Sequence, residues 1–203
     1  MNRSITLLTF IFCIFLSNSV FASETGWYLG LGIGQSSVDT GVSSTTGSAS
    51  LDEEDTAYKV FVGYQINPYL AVEGFYLDAG SAELKGNAGD TFVLDGDTYI
   101  FVADDVKIST DAKTYGIAGS AGYPVHQYFY PYVKFGLHRW DFDASVSAGA
   151  DNVSDGDDGT DLMYGLGIKA DLTDNFSFRA EYEIYDFDGE DLDLMSAGII
   201  LSF

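Results

Sequence analysis

A single cysteine, Cys13, rules out an internal disulfide, so packing and hydrogen bonds must hold the fold together. Basic residues are scarce: nine Lys and Arg stand against 31 Asp and Glu, a formal charge of −22. Binding to nucleic acid needs a cationic surface, so that partner is excluded. After Ala22 no apolar run approaches the ~20 residues that a membrane-crossing helix needs. There are only two histidines, His126 and His138, and neither sits beside a serine signature. No nucleophile and base can be paired from the sequence, so neither an enzyme nor a cofactor is expected.

What is present starts with "MNRSITLLTFIFCIFLSNSVFA". Arg3 supplies a positive start, Ile5 to Leu16 a short apolar run, and Val20 and Ala22 the small residues of a cleavage site. Residues 1–22 therefore read as a secretory signal peptide, cut between Ala22 and Ser23, with one domain over 23–203. A lipid-attachment reading of Cys13 fails, because bulky Phe12 precedes it mid-run. With no apolar helix left, a membrane role would require a closed barrel, since lipid cannot satisfy an open sheet edge.

Eight segments alternate with a period of two. They are Trp27–Ser37, Ala57–Gln65, Leu70–Asp78, Thr114–Tyr123, Tyr130–Phe142, Leu162–Asp171, Phe176–Phe187 and Leu192–Phe203. Most approach the ~9–11 residues of a tilted membrane-spanning strand. The connections "INPY", "PVHQYF" and "LTDN" are short; those between are mostly longer, acidic and rich in Gly and Ser. Outer-membrane barrels sort their loops this way, with short turns in the periplasm and long loops outside. The sequence thus predicts an all-β fold: an eight-stranded, antiparallel, up-and-down transmembrane β-barrel. Asp90–Asp105 reads as a hairpin above the membrane, turning at Asp95-Gly96-Asp97. Two extra barrel strands are the other reading, disfavoured by their shortness.

The alternation separates two chemistries. One face, with residues such as Leu31, Val60, Ile117, Phe135, Leu166 and Ile199, is free of charge and suits lipid. The other holds Lys59, Glu73, Lys134, His138, Lys169, Arg179, Glu181 and Glu183 among glycines that leave room for long side chains. This is the expected lumen, where carboxylates need cations beside them. Aromatic residues near strand ends suggest two girdles: Tyr64, Tyr69, Tyr123, Tyr128, Tyr130 and Phe203 at the periplasmic rim, and Trp140, Phe142, Tyr164, Tyr185 and Phe187 at the outer rim.

"GYQINPYLAVEGFY", "GYPV" with "YPYVKFG", "FRAEYE" and the terminal "GIILSF" resemble, in order and spacing, the transmembrane domain of the outer membrane protein A family. The resemblance covers essentially all of 23–203. It implies that the last strand, through Ile199, Leu201 and Phe203, is read by the barrel assembly machinery. It also implies a lumen glutamate, here Glu73, that switches between a lysine and an arginine, here Arg179, to gate a narrow passage. The family's lysine position, just before "AGYP", is Ser120 here, and Lys134 or Lys169 are the candidate substitutes. Many members carry a cell-wall-binding domain after the barrel. The chain stops at Phe203, so that tether is not expected.

Two functions follow. The first is a structural barrel that interacts through acidic outer loops: Leu51–Asp55, Ala79–Lys113 and Asp151–Asp161. The second is a porin-like gated pore through the polar lumen. The expected partners are outer-membrane lipid, lipopolysaccharide and an extracellular ligand that the sequence does not name; the chain is expected to be a monomer. Asp155, Asp157 and Asp161 have spacings that could serve calcium. However, the ~12-residue loop counted from Asp155 ends on Leu166 and lacks its closing acid, so no metal site is expected.

Overall fold

A computed structural model describes residues 25–203 apart from 39, 95, 127, 149–150 and 188–189, and gives Asp151 no side-chain description. The signal peptide with Ala22 and Ser23, and Asp95 at the hairpin tip, lie outside the described residues.

Twelve strands run in order: β1 (Gly26–Val38), β2 (Val42–Thr46), β3 (Ser50–Asp52), β4 (Glu54–Asn67), β5 (Leu70–Gly86), β6 (Thr91–Leu94), β7 (Asp97–Ile100), β8 (Val106–Gly122), β9 (Phe129–Ala148), β10 (Asp151–Asp171), β11 (Phe176–Phe187) and β12 (Glu190–Ser202). Eight of them (β1, β4, β5, β8, β9, β10, β11 and β12) form one antiparallel ring. It closes where β1 pairs β12, so the spanning sheet has no edge. Each of the eight expected segments coincides with one of these strands, six wholly inside it and two, Thr114–Tyr123 and Leu192–Phe203, passing its end by one residue. The ten-stranded alternative is overturned: β6 pairs with β7 on one side and β2 on the other, in a separate sheet. Leu94 faces Asp97 across the expected turn, where Gly96 takes a φ of 87° that other residues rarely adopt.

The faces follow the alternation. Ile117 on the outward face is 64% exposed, whereas Glu183 on the inward face is 1% exposed. An apolar exterior around a charged interior suits a solvent of lipid tails. At the end with the short turns, Trp27 and Tyr64 pack edge to face and Tyr69 stacks on Tyr123, all pointing outward.

At the opposite end several strands run past the barrel. The stretch expected as an acidic loop, Asp151–Asp161, is strand instead: β10 pairs β9 up to Asp151 opposite Ala148. Above Met163, β9 is its only ladder partner among the described residues. In β5, extra residues between Asp78 and Ser81 make a bulge. Gly80 takes a φ of 80° there, and the Asp55 carboxylate accepts from Ser81 N at 2.8 Å. Before the bulge Glu73, Phe75 and Leu77 point inward; after it Ala82 and Leu84 do. The bulge thus flips the strand's parity.

Asp90 binds the outer segments together. Its carboxylate accepts from Ser48 N at 3.0 Å, Ser48 Oγ at 2.6 Å and Asn87 N at 2.9 Å. These donors hold its pKa below the ordinary value, the Ser48 hydroxyl first. The Asp55 carboxyl is lowered by the backbone amides of Ser81 and Thr56, and that of Glu83 by Lys107 and Lys85.

Candidate functional site: a layered lumen

The middle of the lumen is an ion layer. Lys59 comes from β4, Glu73 from β5, Lys134 from β9, and Arg179, Glu181 and Glu183 from successive inward positions of β11. All six are buried, and three cations balance three carboxylates. Each has a glycine directly opposite on at least one neighbouring strand: Gly32 for Lys59, Gly63 for Glu73, Gly165 for Lys134 and Glu183, Gly167 for Glu181 and Gly198 for Arg179. The space beside Gly165 is taken by the Glu183 side chain, and that beside Gly63 and Gly167 by the rings of Tyr28 and Tyr132.

Lys134 Nζ is the hub. It lies 2.5 Å from Glu181, 3.0 Å from Glu73 and 3.2 Å from Glu183. Arg179 Nη1 donates to Glu73 at 2.7 Å. Its Nη2 lies 2.8 Å from Glu181 Oε2, in ion-pair contact but without an aligned hydrogen bond. Lys59 reaches both oxygens of Glu183 at 2.5 and 2.6 Å. Aromatic faces complete the layer: the Arg179 guanidinium sits 3.3 Å from the centroid of Phe61, and Lys59 Nζ 4.8 Å from that of Phe75. Glu73 thus contacts both a lysine and an arginine at once. The lysine is Lys134, which stands directly opposite Ser120 on the neighbouring strand.

Lys169 stands outside this layer. Its Nζ is 3.1 Å from Asp171 and 5.5 Å from the Tyr130 ring centroid, close to the turn end. Alternation fixes the face of a side chain and says nothing of its height. Two hydroxyls that sequence reasoning passed over join the layer: Tyr132 donates to Glu181 at 2.8 Å and Tyr28 to Glu73 at 3.4 Å. Both share parity with inward neighbours, which is the signal that could have found them.

Toward the hairpin end the lumen is filled by an apolar septum. Leu77, Met163, Tyr185, Leu192 and Leu194 are each 0% exposed, packed with Trp140, Phe187 and partly buried Phe142. This corrects the expected outer girdle. Trp140, Phe142, Tyr185 and Phe187 point into the barrel, and Tyr164 alone of the five is exposed to the outside. His138 lies within the septum, 5.2 Å from the ring centroids of both Tyr185 and Phe187, with Nδ1 sharing a 2.8 Å hydrogen bond with Thr114 Oγ1. Asp155, Asp157 and Asp161 stand along β10, where alternate side chains are ~7 Å apart, rather than curling round a point.

Toward the turn end the lumen is hollow. A cavity of about 440 Å³ runs from the mouth, near Lys169, Asp171 and Phe203, to a floor made by Glu73, Lys134 and Arg179. Tyr130, expected in the periplasmic girdle, lines this vestibule instead, and Phe203 is half-buried at its mouth. Ile199 and Leu201 face outward from β12, while Phe203 N donates to Trp27 O at 2.9 Å across the barrel seam.

The family model for the outer membrane protein beta-barrel domain matches residues 6–203. Outer membrane protein A of Shigella flexneri is 26% identical over 163 residues, 79% of this chain. The same protein of Serratia marcescens is 25% identical over 168 residues. The match spans 41% of the Shigella protein's own length. Among solved structures, the attachment invasion locus protein Ail of Yersinia pestis, in complex with the heparin analogue sucrose octasulfate, superposes with a TM-score of 0.57 at 17% identity, covering 89% of this chain and all of that one. The N-terminal β-barrel domain of Pseudomonas aeruginosa OprF gives 0.52 at 13% identity, covering 88% and 98%. At these identities the structural likeness speaks for the fold.

Proposed function

Because the chain belongs to the outer membrane protein β-barrel family, we propose that its lumen is a closed core and that its hairpins outside the cell do its work. One observation carries this reading: above the ion layer, five side chains with no exposed surface, Leu77, Met163, Tyr185, Leu192 and Leu194, belong to one buried apolar cluster inside the barrel. Water and ions meet packed hydrocarbon there, and a charge-balanced buried network beneath it rigidifies the wall. The outer β9–β10 hairpin carries Asp141, Asp143, Asp155, Asp157, Asp158 and Asp161 against one cation, Arg139. Such a surface disfavours a polyanion of the kind held by Ail and suits a basic partner.

A narrow gated pore is the second reading. It is favoured by the vestibule, which brings solvent space from the periplasmic side up to Glu73 and Arg179. In that reading the ion layer opens and the septum yields with it. Single-channel recording of the refolded chain in a planar bilayer separates the two. A silent bilayer, with folding confirmed by a heat-dependent gel shift, supports the closed core. Discrete openings that vanish on Arg179→Ala or Glu73→Ala would overturn it.

The rest of the proposal concerns delivery. Residues 1–22 direct export and are removed between Ala22 and Ser23. The barrel assembly machinery reads Ile199, Leu201 and Phe203. The mature chain then sits as a monomer among lipopolysaccharide and outer-membrane lipid, its uncharged belt needing no other cover.

A further inference from the structure

Beyond the membrane the sheet continues as β3, β5, β8, β9 and β10, and one apolar row crosses all five strands. The registered partners are Leu51, Leu84, Ile108, Val146 and Val153, all on the face continuous with the lumen. Leu51 is half-buried, and from Leu84 onward exposure rises along the row. Leu84 is 7% exposed, Ile108 is half-buried, Val146 is 43% exposed and Val153 71%. The β5 end of this face is covered by the second sheet, where Phe101, packed on Phe92, lies over Gly86. Among the described residues the β10 end is uncovered, and β10 there is also an edge: no described strand pairs it on the side away from β9 along Asp151–Thr160. An apolar row that grows more exposed up to an unpaired edge is the surface a further strand would complete.

The neighbouring positions on that face state what the strand must be. Below Val153 the inward residues of β10 are Asp155 and Asp157, both exposed and, among the described residues, neither in an ion pair. A second copy of β10 would set aspartate against aspartate and be repelled. Resting on the proposal that the outer hairpins do the chain's work, we infer that the β10 edge captures an extended cationic peptide segment. It adds as a further strand, with an apolar side chain beside Val153 and Lys or Arg beside Asp155 and Asp157. The backbone ladder supplies attachment, and the alternation of apolar and basic residues supplies selectivity. In an antiparallel arrangement the matching pattern is Lys-Thr-Lys-Thr-Val.

The test uses the refolded chain in lipid nanodiscs and a fluorescent ten-residue peptide built on Lys-Thr-Lys-Thr-Val, read by anisotropy. A second peptide carries N-methyl groups on alternate amides, which removes its ladder donors and leaves its charge. The expected result is saturable binding of the first peptide, loss of binding by the methylated one, and slowed hydrogen exchange confined to 152–160. Asp155→Lys/Asp157→Lys, both exposed and therefore harmless to folding, is expected to weaken binding by about tenfold or more. Equal binding of the methylated peptide would reduce the interaction to charge alone and overturn the inference. So would absence of binding, or dimerisation of the chain through β10. A chain that stays silent in the bilayer while ignoring the peptide would overturn this inference and leave the closed-core reading standing.

Discussion

Lys59 donates a 2.9 Å hydrogen bond to the hydroxyl of Tyr185, and this contact joins the ion layer to the apolar septum. Both residues are buried, and Lys59 has already spent its other reach on Glu183. Tyr185→Phe keeps the ring in the septum and removes the only acceptor above the lysine in this contact. A hydrogen bond to a charged group is worth about 1.5–3 kcal/mol, and a loss of that size is expected in urea unfolding from detergent or lipid. Unchanged stability would mean that the lysine is content with Glu183 alone.

Lys134 touches three carboxylates, so Lys134→Met leaves an excess of buried negative charge. Breaking such a network by removing one partner costs about 3–5 kcal/mol. Lys134→Met/Glu181→Gln restores the charge balance and is expected to recover part of that loss. A double variant as unstable as the sum of the single ones would show that the layer does not act as a unit.

Two glycines give a paired contrast. A Cβ at Gly30 would lie 1.9 Å from the Phe61 ring and 2.6 Å from Ile199 O, whereas one at lipid-facing Gly74 meets nothing nearer than 3.9 Å. Gly30→Ala should therefore cost about 1–3 kcal/mol through overpacking. Gly74→Ala should stay within about 0.5 kcal/mol. Reversal of that order in thermal unfolding would contradict the inward packing of Phe61.

The outer segments should loosen in acid while the barrel holds. Asp90 has a folded pKa below its ordinary value, so its contribution is complete above the ordinary aspartate range, about pH 3.9, and fades as pH falls through the folded value. Amides of Ser48 and Asn87 should exchange faster near pH 3 than expected from intrinsic rates alone. Asp90→Asn should show loosened exchange at every pH, without that acid step.

Deleting Phe203 removes the last side chain of the closing strand and the backbone bond to Trp27 O. The expected outcome is a fall in outer-membrane insertion, scored by surface protease access in cells, with little change in refolding from urea into detergent. Normal insertion in cells would take the recognition role away from this residue.

The barrel itself is legible because two solvents select two faces at a period of two, and the membrane-spanning part of all eight strands keeps it. The rims were misjudged at Trp140, Phe142, Tyr185 and Phe187. Parity with Lys134, His138, Glu181 and Glu183 places those rings inside, against the expectation from nearness to an apparent strand end. That end was itself illusory, since β9 and β10 extend beyond it. Asp151–Asp161 looked like a loop because Asp and Gly are poor strand formers. Continuous pairing with β9 overrides that preference. Lys169 shared the right face at the wrong height, a coordinate that alternation does not encode. The bulge in β5 left one trace, a glycine within a strand pattern at Gly80.

That bulge sets two reading frames in one strand. Below it, odd-numbered positions of β5 face the lumen; above it, even-numbered ones do. Forcing that stretch into regular pairing with every residue kept would leave the membrane portion in phase and throw the projecting portion out of phase. Leu84 would turn to solvent and Lys85 inward, and the cover over Gly86 would lose its seat. The outer architecture can thus be re-phased by a single-residue slip in pairing that the embedded barrel would never register.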